Sequence, residues 1–484
     1  MEKNYYIGID LGTSSLKGIL ADRTGRIYKE SSRNYPVLVP HEGWTEQDPA
    51  EWLRAAREVI KELSRNIESE VRGLSVAGQM HGLVTLDDED RVIRPCILWN
   101  DGRCERQTSY LNEVIGKERL REMTGNIAFA GFTAPKLLWM YDEEPENFAR
   151  ISKIMLPKDY LTYMLTGAHV TDYSDASGML LVDVKNKKYS DGMLEICRVK
   201  SEWLPKLHES FDVVGKVKPE FGLPDCIVTA GAGDNAAAAL GTGAVTAGSC
   251  NVSLGTSGTV FIPQDTFSVD EKCALHSFAH ANGKWHLMGC ILTAASARKW
   301  WLEDIIKDAD YGIDEEAAKE GRGDVIFLPY LSGERSPHND VRARGAFIGL
   351  SSTSTRGEMS RAIMEGVTFA LKDCFEVAKS NGVVPLRATL CGGGAKSALW
   401  RKIAADVFEM PIDILETEQG PSMGGAILAM VGAGEYATVE EASKSTVKIK
   451  ETVLPDPGNY DYYERKYNVF RRLYPAIKGA TKNV

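Results

Sequence analysis

One tetrapeptide that occurs twice constrains this chain of 484 residues more than anything else in it. Leu11-Gly12-Thr13-Ser14 returns as Leu254-Gly255-Thr256-Ser257, 243 residues later and about half a chain away. The flanks recur with it. Ile7 to Leu11 and Leu16 to Leu20 frame the first copy; Val252 to Leu254 and Thr259 to Ile262 frame the second. Apolar arms around a short polar turn predict a β-hairpin. A repeat at half-length predicts two similar domains, each opening on that hairpin. One Gly-Thr-Ser turn alone would be an ordinary turn. The matched pair is the signal.

Glycine lets the backbone bend, and the hydroxyls and N–H groups around it can donate to an anion. Two such turns facing each other across a cleft would hold the phosphates of a nucleotide. The contacts would come from Gly12, Thr13 and Ser14 on one side and Gly255, Thr256 and Ser257 on the other. Asp10 closes the first arm beside its turn. A carboxylate next to a phosphate cradle implies a cation between them.

The length fits two or three domains. Net charge is −10 and no basic run occurs, which argues against nucleic-acid binding. The nine cysteines are scattered, with no C-x-x-C pair, so neither zinc nor a redox dithiol is indicated. An odd number of cysteines without a framework fits a reducing cytosol. The opening Met-Glu-Lys-Asn-Tyr-Tyr leads straight into the first strand, and no signal peptide is expected. Val228 to Ala247 is Ala- and Gly-rich and contains Asp234, so it is not a membrane span.

Asp48-Pro49-Ala50-Glu51 predicts a helix start, and Trp52, Ala55, Val59, Leu63 and Ile67 follow at helical spacing. Val71 to Ala77 reads as a strand ending in Gly78-Gln79-Met80-His81-Gly82. Ligands of open α/β sheets bind beyond the carboxyl ends of strands, so Met80 and His81 are candidates to line a cleft. An idle loop histidine is the equal alternative. Trp99, Asn100, Asp101 and Arg103 follow another short strand, and turn chemistry explains them as well as sugar contacts do. Lys158-Asp159 and Asp172 to Asp175 read as solvated charges.

Ile227 to Ala230 predicts a strand, Gly231 to Gly233 a turn, and the alanines after Asn235 a helix. Asp234 then stands at a helix N-terminus, which favours an anion by about 0.3–1 kcal/mol. With an ordinary carboxylate pKa it would be ionised at neutral pH and ready to accept a proton. A plain N-cap is the alternative. Gly392-Gly393-Gly394 after the strand Arg387 to Cys391, and Ser397 at the next helix start, repeat the strand–turn–helix pattern that offers free N–H groups. No Walker A lysine occurs. Gly420 to Ala433 predicts a small-residue helix that packs closely or admits a ligand, and Tyr460 to Tyr474 a docking helix.

Together these segments resemble the FGGY family of carbohydrate kinases and, within it, the xylulose-phosphorylating members. The matching stretches include Gly8 to Ser14, Gly43 to Pro49, Gly78 to Gly82, Leu98 to Arg103, Gly131 to Lys136, Leu156 to Leu161, Gly233 to Ala237, Ser253 to Gly258, Leu328 to Arg335 and Gly392 to Ser397. The resemblance implies an α/β fold of two actin-like (ribonuclease H-like) domains with a nucleotide cleft between them. Residues 1–245 would bind the sugar and residues 246–484 the nucleotide. It also implies ATP and Mg²⁺ as cofactors, the metal held by Asp10 through water, and a cytoplasmic enzyme.

Under the resemblance Asp234 corresponds to the catalytic base, with Asp10 beside the metal and phosphates. Met80 and His81 correspond to the sugar-contacting pair, with Asn235 beside the substrate and Trp99, Asn100, Asp101 and Arg103 more loosely attached. Thr13 and Thr256 correspond to phosphate contacts, and Gly393, Gly394, Ala395 and Ser397 to adenosine contacts. Gly131 would leave the pocket more open than in glycerol-specific members. The implied reaction is phosphorylation of D-xylulose at O5. Another ketose, polyol or sugar acid, such as ribulose or gluconate, remains open, as does a non-catalytic actin-like nucleotide switch. The implied partners are a small sugar and MgATP, with neither membrane nor nucleic acid, and a homodimer of the kind common in such families.

Overall fold

The computed structural model describes residues 4–417 and 419–481. In the first half, β1 (Tyr5–Leu11), β2 (Ser15–Asp22) and β3 (Ile27–Asn34) form an antiparallel meander. Helix α1 (Pro49–Ser64) leads to β4 (Val71–Gly78), which pairs parallel to β1. β5 (Val213–Lys216), β6 (Ile227–Thr229) and the short β7 (Ala232–Gly233) complete a sheet of order β5-β6-β4-β1-β2-β3, with β7 also on β4. Helix α2 (Asp234–Gly241) follows directly.

The second half repeats the plan. β8 (Ser249–Leu254) and β9 (Gly258–Gln264) form the second hairpin, β10 (His276–Ala279) and β11 (Trp285–Ile291) extend it, and β12 (Arg387–Cys391) pairs parallel to β8. With β13 (Ile412–Leu415) and β14 (Ile449–Val453) the order is β10-β11-β9-β8-β12-β13-β14. In each sheet an antiparallel hairpin has a parallel strand against its first arm. The repeated tetrapeptide therefore marks equivalent places in two sheets.

Local chemistry explains the elements. Asp48 caps α1 by accepting from the Ala50 N–H, and Trp52, Ala55, Ala56, Val59, Ile60 and Leu63 are its buried face. Each large apolar side chain so buried contributes roughly 1.5–3 kcal/mol. Helix α3 (Arg356–Ser380) runs through the second core and ends at Asn381, followed by Gly382 at φ +78°. Helix α4 (Ala398–Phe408) starts at Ser397.

Helix α5 (Gly420–Gly432) takes the close-packing alternative. A Cβ on Gly8 would lie 1.8 Å from the Ser422 carbonyl oxygen, and one on Gly424 would lie 1.9 Å from that of Ala237. Helix α5 therefore touches β1 and α2 backbone to backbone, although it comes from the second half of the chain. Helices α2 and α5 are the crossing point of the two lobes. The final helix α6 (Tyr460–Thr481) docks on the second core through Tyr463, Tyr467, Phe470 and Tyr474. Among the described residues no helix is long and apolar enough to cross a membrane, and the nine cysteines are unbridged.

The lobes also meet along β10. The Ala279 N–H donates to Ser177 Oγ (3.0 Å), and Asn126 Nδ2 donates to the Ser277 carbonyl (2.9 Å). Three histidines of this seam are buried: His276, His280 and His286. His286 stacks on Phe261 with centroids 3.9 Å apart. Burial, and then His280 and His276, push its pKa well below the usual value.

A stability test follows from that shift. Below the unfolded value of about 6.5 only the unfolded chain takes up the proton, so His286 costs stability as pH falls through that value and is neutral above it. His286→Phe lacks this cost while every other titrating group is common to both proteins. Its stability relative to the parent is expected to rise by ~1.4 kcal/mol per pH unit below about 6.5, read from urea unfolding at pH 8, 6 and 5. A difference that is the same at pH 8 and pH 5 would contradict the buried, neutral imidazole.

Candidate active site

Asp10 and Asp234 come together through one strand. Asp10 on β1 lies opposite Ala77 of β4, and Ala232 on β7 lies on the other side of that same Ala77. Two strand spacings, about 10 Å, separate the two backbones, and both carboxylates stand at the carboxyl end of the sheet. Burial pushes Asp10 up to about 6, with Lys17 across the hairpin drawing it down. Burial and then Asp10 push Asp234 up to about 7. This corrects the expectation of an ordinary carboxylate at position 234.

Asp234 is the first residue of α2, after Gly233 in the capping position. Its Oδ1 accepts from the Asn235 N–H (2.7 Å) and from Asn235 Nδ2 (3.0 Å). Its Oδ2 has no protein partner among the described residues. The Asn235 amide is thus engaged with Asp234. It orients the carboxylate while itself lining the cleft.

Met80 and His81 continue this wall. The Met80 side chain lies against Gly233 and Gly178. His81 sits at φ +70°, a left-handed conformation that costs a non-glycine residue about 1–3 kcal/mol. Its carbonyl accepts from Lys136 Nζ (2.8 Å) and Thr133 Oγ1 (3.1 Å), which hold it there. Its ring stacks on Phe132 at 4.6 Å. Burial, then Lys136, push its pKa down to about 3, so the imidazole is neutral. Nδ1 is 2.9 Å from the Gly178 carbonyl oxygen, which can only accept. Nδ1 therefore carries the proton and Nε2 is an acceptor. This leaves one of the two roles open to a neutral histidine.

The first hairpin turn is braced from below. Thr13 Oγ1 donates to Gln79 Oε1 (3.1 Å) and accepts from Trp99 Nε1 (3.0 Å). Gln79 Nε2 donates to Gln47 Oε1 (2.9 Å), which also accepts from Trp52 Nε1 (3.1 Å). The Thr13 hydroxyl is therefore committed. The N–H groups of Thr13 and Ser14 have no acceptor among the described residues and stay available to an anion. The second turn borders two cavities. One of about 410 Å³ runs from Asn235 past Gly255, Thr256 and Ser257 to Gly392 and Ala395. The other, of about 730 Å³, runs from Thr256 to Gly393, Gly394 and Ser397. A ligand crossing both would extend from Asn235, next to Asp234, to the glycine turn after β12. The Ser397 hydroxyl accepts from the Trp400 N–H as the cap of α4. The larger cavity is also lined by Ser296, Arg298, Tyr311 and Glu315, which sequence reasoning missed. Arg298 and Tyr311 are thirteen residues apart and meet only because Asp314 and the Tyr311 carbonyl hold the guanidinium (3.2 and 3.0 Å).

Comparison with known proteins places this geometry. Residues 5–241 match the N-terminal domain, and residues 250–433 the C-terminal domain, of the FGGY family of carbohydrate kinases. The chain is 40% identical over 481 residues to the xylulose kinase of Escherichia coli K12, covering 98% of this chain and 99% of that one. The chain belongs to the FGGY family of carbohydrate kinases. It is accordingly an ATP-dependent carbohydrate kinase with the two-domain fold of that family. That sets aside the non-catalytic switch. Among solved structures, a "xyloylose kinase" from Brucella ovis superposes with a TM-score of 0.94 at 38% identity, over 99% of this chain and all of that one. A gluconate kinase from Lactobacillus acidophilus gives 0.94 at 27%, over 98% of both chains.

In this FGGY kinase several sequence expectations are displaced. Asp101 and Arg103 do not face the cleft. Arg103 pairs with Asp101 (2.7 Å) and Glu46 (2.7 Å), its side chain fully buried under Trp44 with the guanidinium 3.9 Å from the ring centroid. Asp101 also accepts from the Thr45 N–H (2.6 Å), and Asn100 accepts from Thr45 Oγ1 (2.8 Å). These three side chains pin the 43–47 segment, which a turn sequence cannot reveal. Trp99 stays at the turn, bonded to Thr13. Gly131 is set by backbone approach: a Cβ there would lie 2.1 Å from the Trp99 carbonyl oxygen, so its small size does not open the pocket.

The largest correction concerns the charges taken as solvated. Lys158, Asp159, Asp172 and Asp175 are all buried. Lys158 Nζ is 2.6 Å from Asp159, 3.0 Å from Asp172 and 3.9 Å from Asp175. Burial opposes the ammonium, but the three carboxylates hold its pKa above the usual value. Asp172 accepts from Ser174 Oγ (2.5 Å), whose oxygen accepts the Gly233 N–H (3.1 Å). The cluster thus supports the residue before Asp234 from behind.

Proposed function

We propose that this kinase transfers the γ-phosphoryl group of ATP to O5 of D-xylulose, giving D-xylulose 5-phosphate. The full-length likeness to xylulose kinases carries the choice of sugar. The contiguous wall Asp234–Met80–His81 supports it chemically, since it joins a proton acceptor to a fixed hydrogen-bond acceptor for a hydroxyl. In this reading Asp234 receives the proton of the attacking hydroxyl at Oδ2, with Oδ1 held by Asn235. The N–H groups of the two hairpin turns bind phosphate oxygens. The nucleoside lies along Gly393, Gly394 and Ala395 at the larger cavity. We place the boundary of the sugar and nucleotide domains between residues 245 and 246, and the enzyme in the cytoplasm.

Mg²⁺ fits the same place. Asp10 and Asp234 are two buried carboxylates, the first raising the pKa of the second, and among the described residues neither has an ion-pair partner within 4.0 Å. Among the described residues no three or more His, Cys, Asp or Glu side chains converge as a metal cage. Magnesium in phosphoryl-transfer sites is held by one or two carboxylates plus substrate phosphates and water, so no cage is needed. Asp10 would hold the ion through water. When bound, the ion would neutralise charge on the transferring phosphoryl group.

The test is a panel of ketoses, aldoses, polyols and sugar acids assayed for ADP release. D-xylulose is expected to have the highest kcat/KM and glycerol to be very poor, because a site built to bond hydroxyls rejects compounds lacking them by up to ~10⁴-fold. His81→Ala is expected to lower kcat/KM for the ketose and leave the KM for ATP unchanged. Any sugar that beats D-xylulose tenfold overturns the assignment. Gluconate is the sugar acid to watch, given the structural likeness to a gluconate kinase.

A further inference from the structure

Arg335 comes from the second lobe, in the loop after the strand Ile326–Leu328, yet its guanidinium lies over Phe129 of the first lobe, 5.2 Å from the ring centroid. Phe129 packs edge-on against Phe132 (5.4 Å) and His276 (5.2 Å), and Phe132 carries His81. The contacts form one line: Gly233 beside Asp234, then Met80, His81, Phe132, Phe129 and Arg335. Arg335 is therefore the last member of this run of contacts that begins beside Asp234.

The backbone of Arg335 is fixed and its side chain is not. Its N–H donates to Glu334 Oε1 (2.7 Å), which also accepts from the Leu292 N–H (2.9 Å). The guanidinium has no carboxylate within 4.0 Å among the described residues, and it rests half-buried on an aromatic face. The two imidazoles nearest this line, His81 and His276, are neutral and supply no counter-charge. A guanidinium carries five N–H donors and no acceptor. A half-buried cation resting on an aromatic face, with no carboxylate within 4.0 Å among the described residues, is arranged for an oxygen acceptor that arrives with a ligand.

We propose that Arg335 is a specificity-determining residue that donates to the oxygens at the end of the sugar remote from the phosphorylated carbon, the C1 hydroxyl and C2 carbonyl of a ketose. The inference rests on the reading of the sugar site given above. It makes the nucleotide-side lobe a direct reader of the bound sugar, since Met80, His81 and Asp234 all belong to the other lobe.

The experiment compares D-xylulose with 1-deoxy-D-xylulose in the parent enzyme, Arg335→Met and Arg335→Lys. Methionine keeps an apolar stem on Phe129 and removes the donors; lysine keeps the charge and a single donating ammonium group. Arg335→Met is expected to lose roughly 10- to 100-fold in kcat/KM for D-xylulose, as for a lost hydrogen bond to a charged donor. The loss should be severalfold smaller for the 1-deoxy sugar, the KM for ATP should hold, and Arg335→Lys should recover part of the loss. Equal losses for the two sugars would show that Arg335 does not donate to the C1 hydroxyl, and no loss would show that it does not meet the sugar. Either result overturns the proposal. A parent enzyme that prefers another sugar would instead overturn the assignment of D-xylulose, so the two failures are distinct.

Discussion

Replacing Asp234 by Asn is expected to lower kcat by ~10²–10⁴-fold, the usual contribution of a general base. The substitution is nearly isosteric, and its carbonyl oxygen can still accept the Asn235 N–H that now reaches Oδ1. Folding and the KM for ATP should therefore hold. The proton acceptor lost is Oδ2, the oxygen of the pair with no protein partner among the described residues. If the variant keeps more than roughly a third of the parent rate, Asp234 is not the base, and its place at the start of α2 is structural.

Lys158→Met should be as damaging to stability as Asp234→Asn is to turnover. Among the described residues Lys158 is the cation within 4.0 Å of Asp159, Asp172 and Asp175, all of them buried, with burial pushing Asp175 well above the usual carboxylate value. Removing one partner of a buried ion pair costs ~3–5 kcal/mol, because the charges left behind have neither water nor a counter-ion. A loss of that size should appear in the urea unfolding midpoint, or as failure to accumulate folded protein. Adding Asp159→Asn and Asp172→Asn to the variant should restore part of the loss, since neutral amides need no cation. A loss below ~1 kcal/mol in Lys158→Met would mean that the cluster is hydrated in solution. Because Ser174 links this cluster to the Gly233 N–H, the rescued variant also asks whether Asp234 needs the charges or only the packing.

The parts of the site that were legible in the sequence are those carried by backbone. Both hairpin turns, the strand end at Gly78 and the helix start at Asp234 are local events, set by glycine, apolar alternation and alanine runs. They put Asp10, Asp234, Met80 and His81 at the carboxyl ends of neighbouring strands, where the structure has them. Asp101 and Arg103 failed because a polar loop residue can bond inward as readily as outward. Their partners, Glu46 and Thr45, lie more than fifty residues earlier. The proton on His81 Nδ1 was equally hidden, since the Gly178 carbonyl that assigns it is 97 residues away in sequence.

The sequence by itself determined the duplicated two-domain plan, the hairpin at the head of each domain and the identity of the candidate carboxylates. Short-range rules suffice for these, because a turn, a strand period and a helix start are each decided within a few residues. Only the tertiary structure decided which charges are buried, which hydroxyls and amides are already bonded, and what the carboxylates' protonation is. Lys158 with Asp172, and Asp10 with Asp234, are distant along the chain and close in the fold. Burial and Coulomb interaction depend on distance through space, and no spacing along this chain encodes that distance.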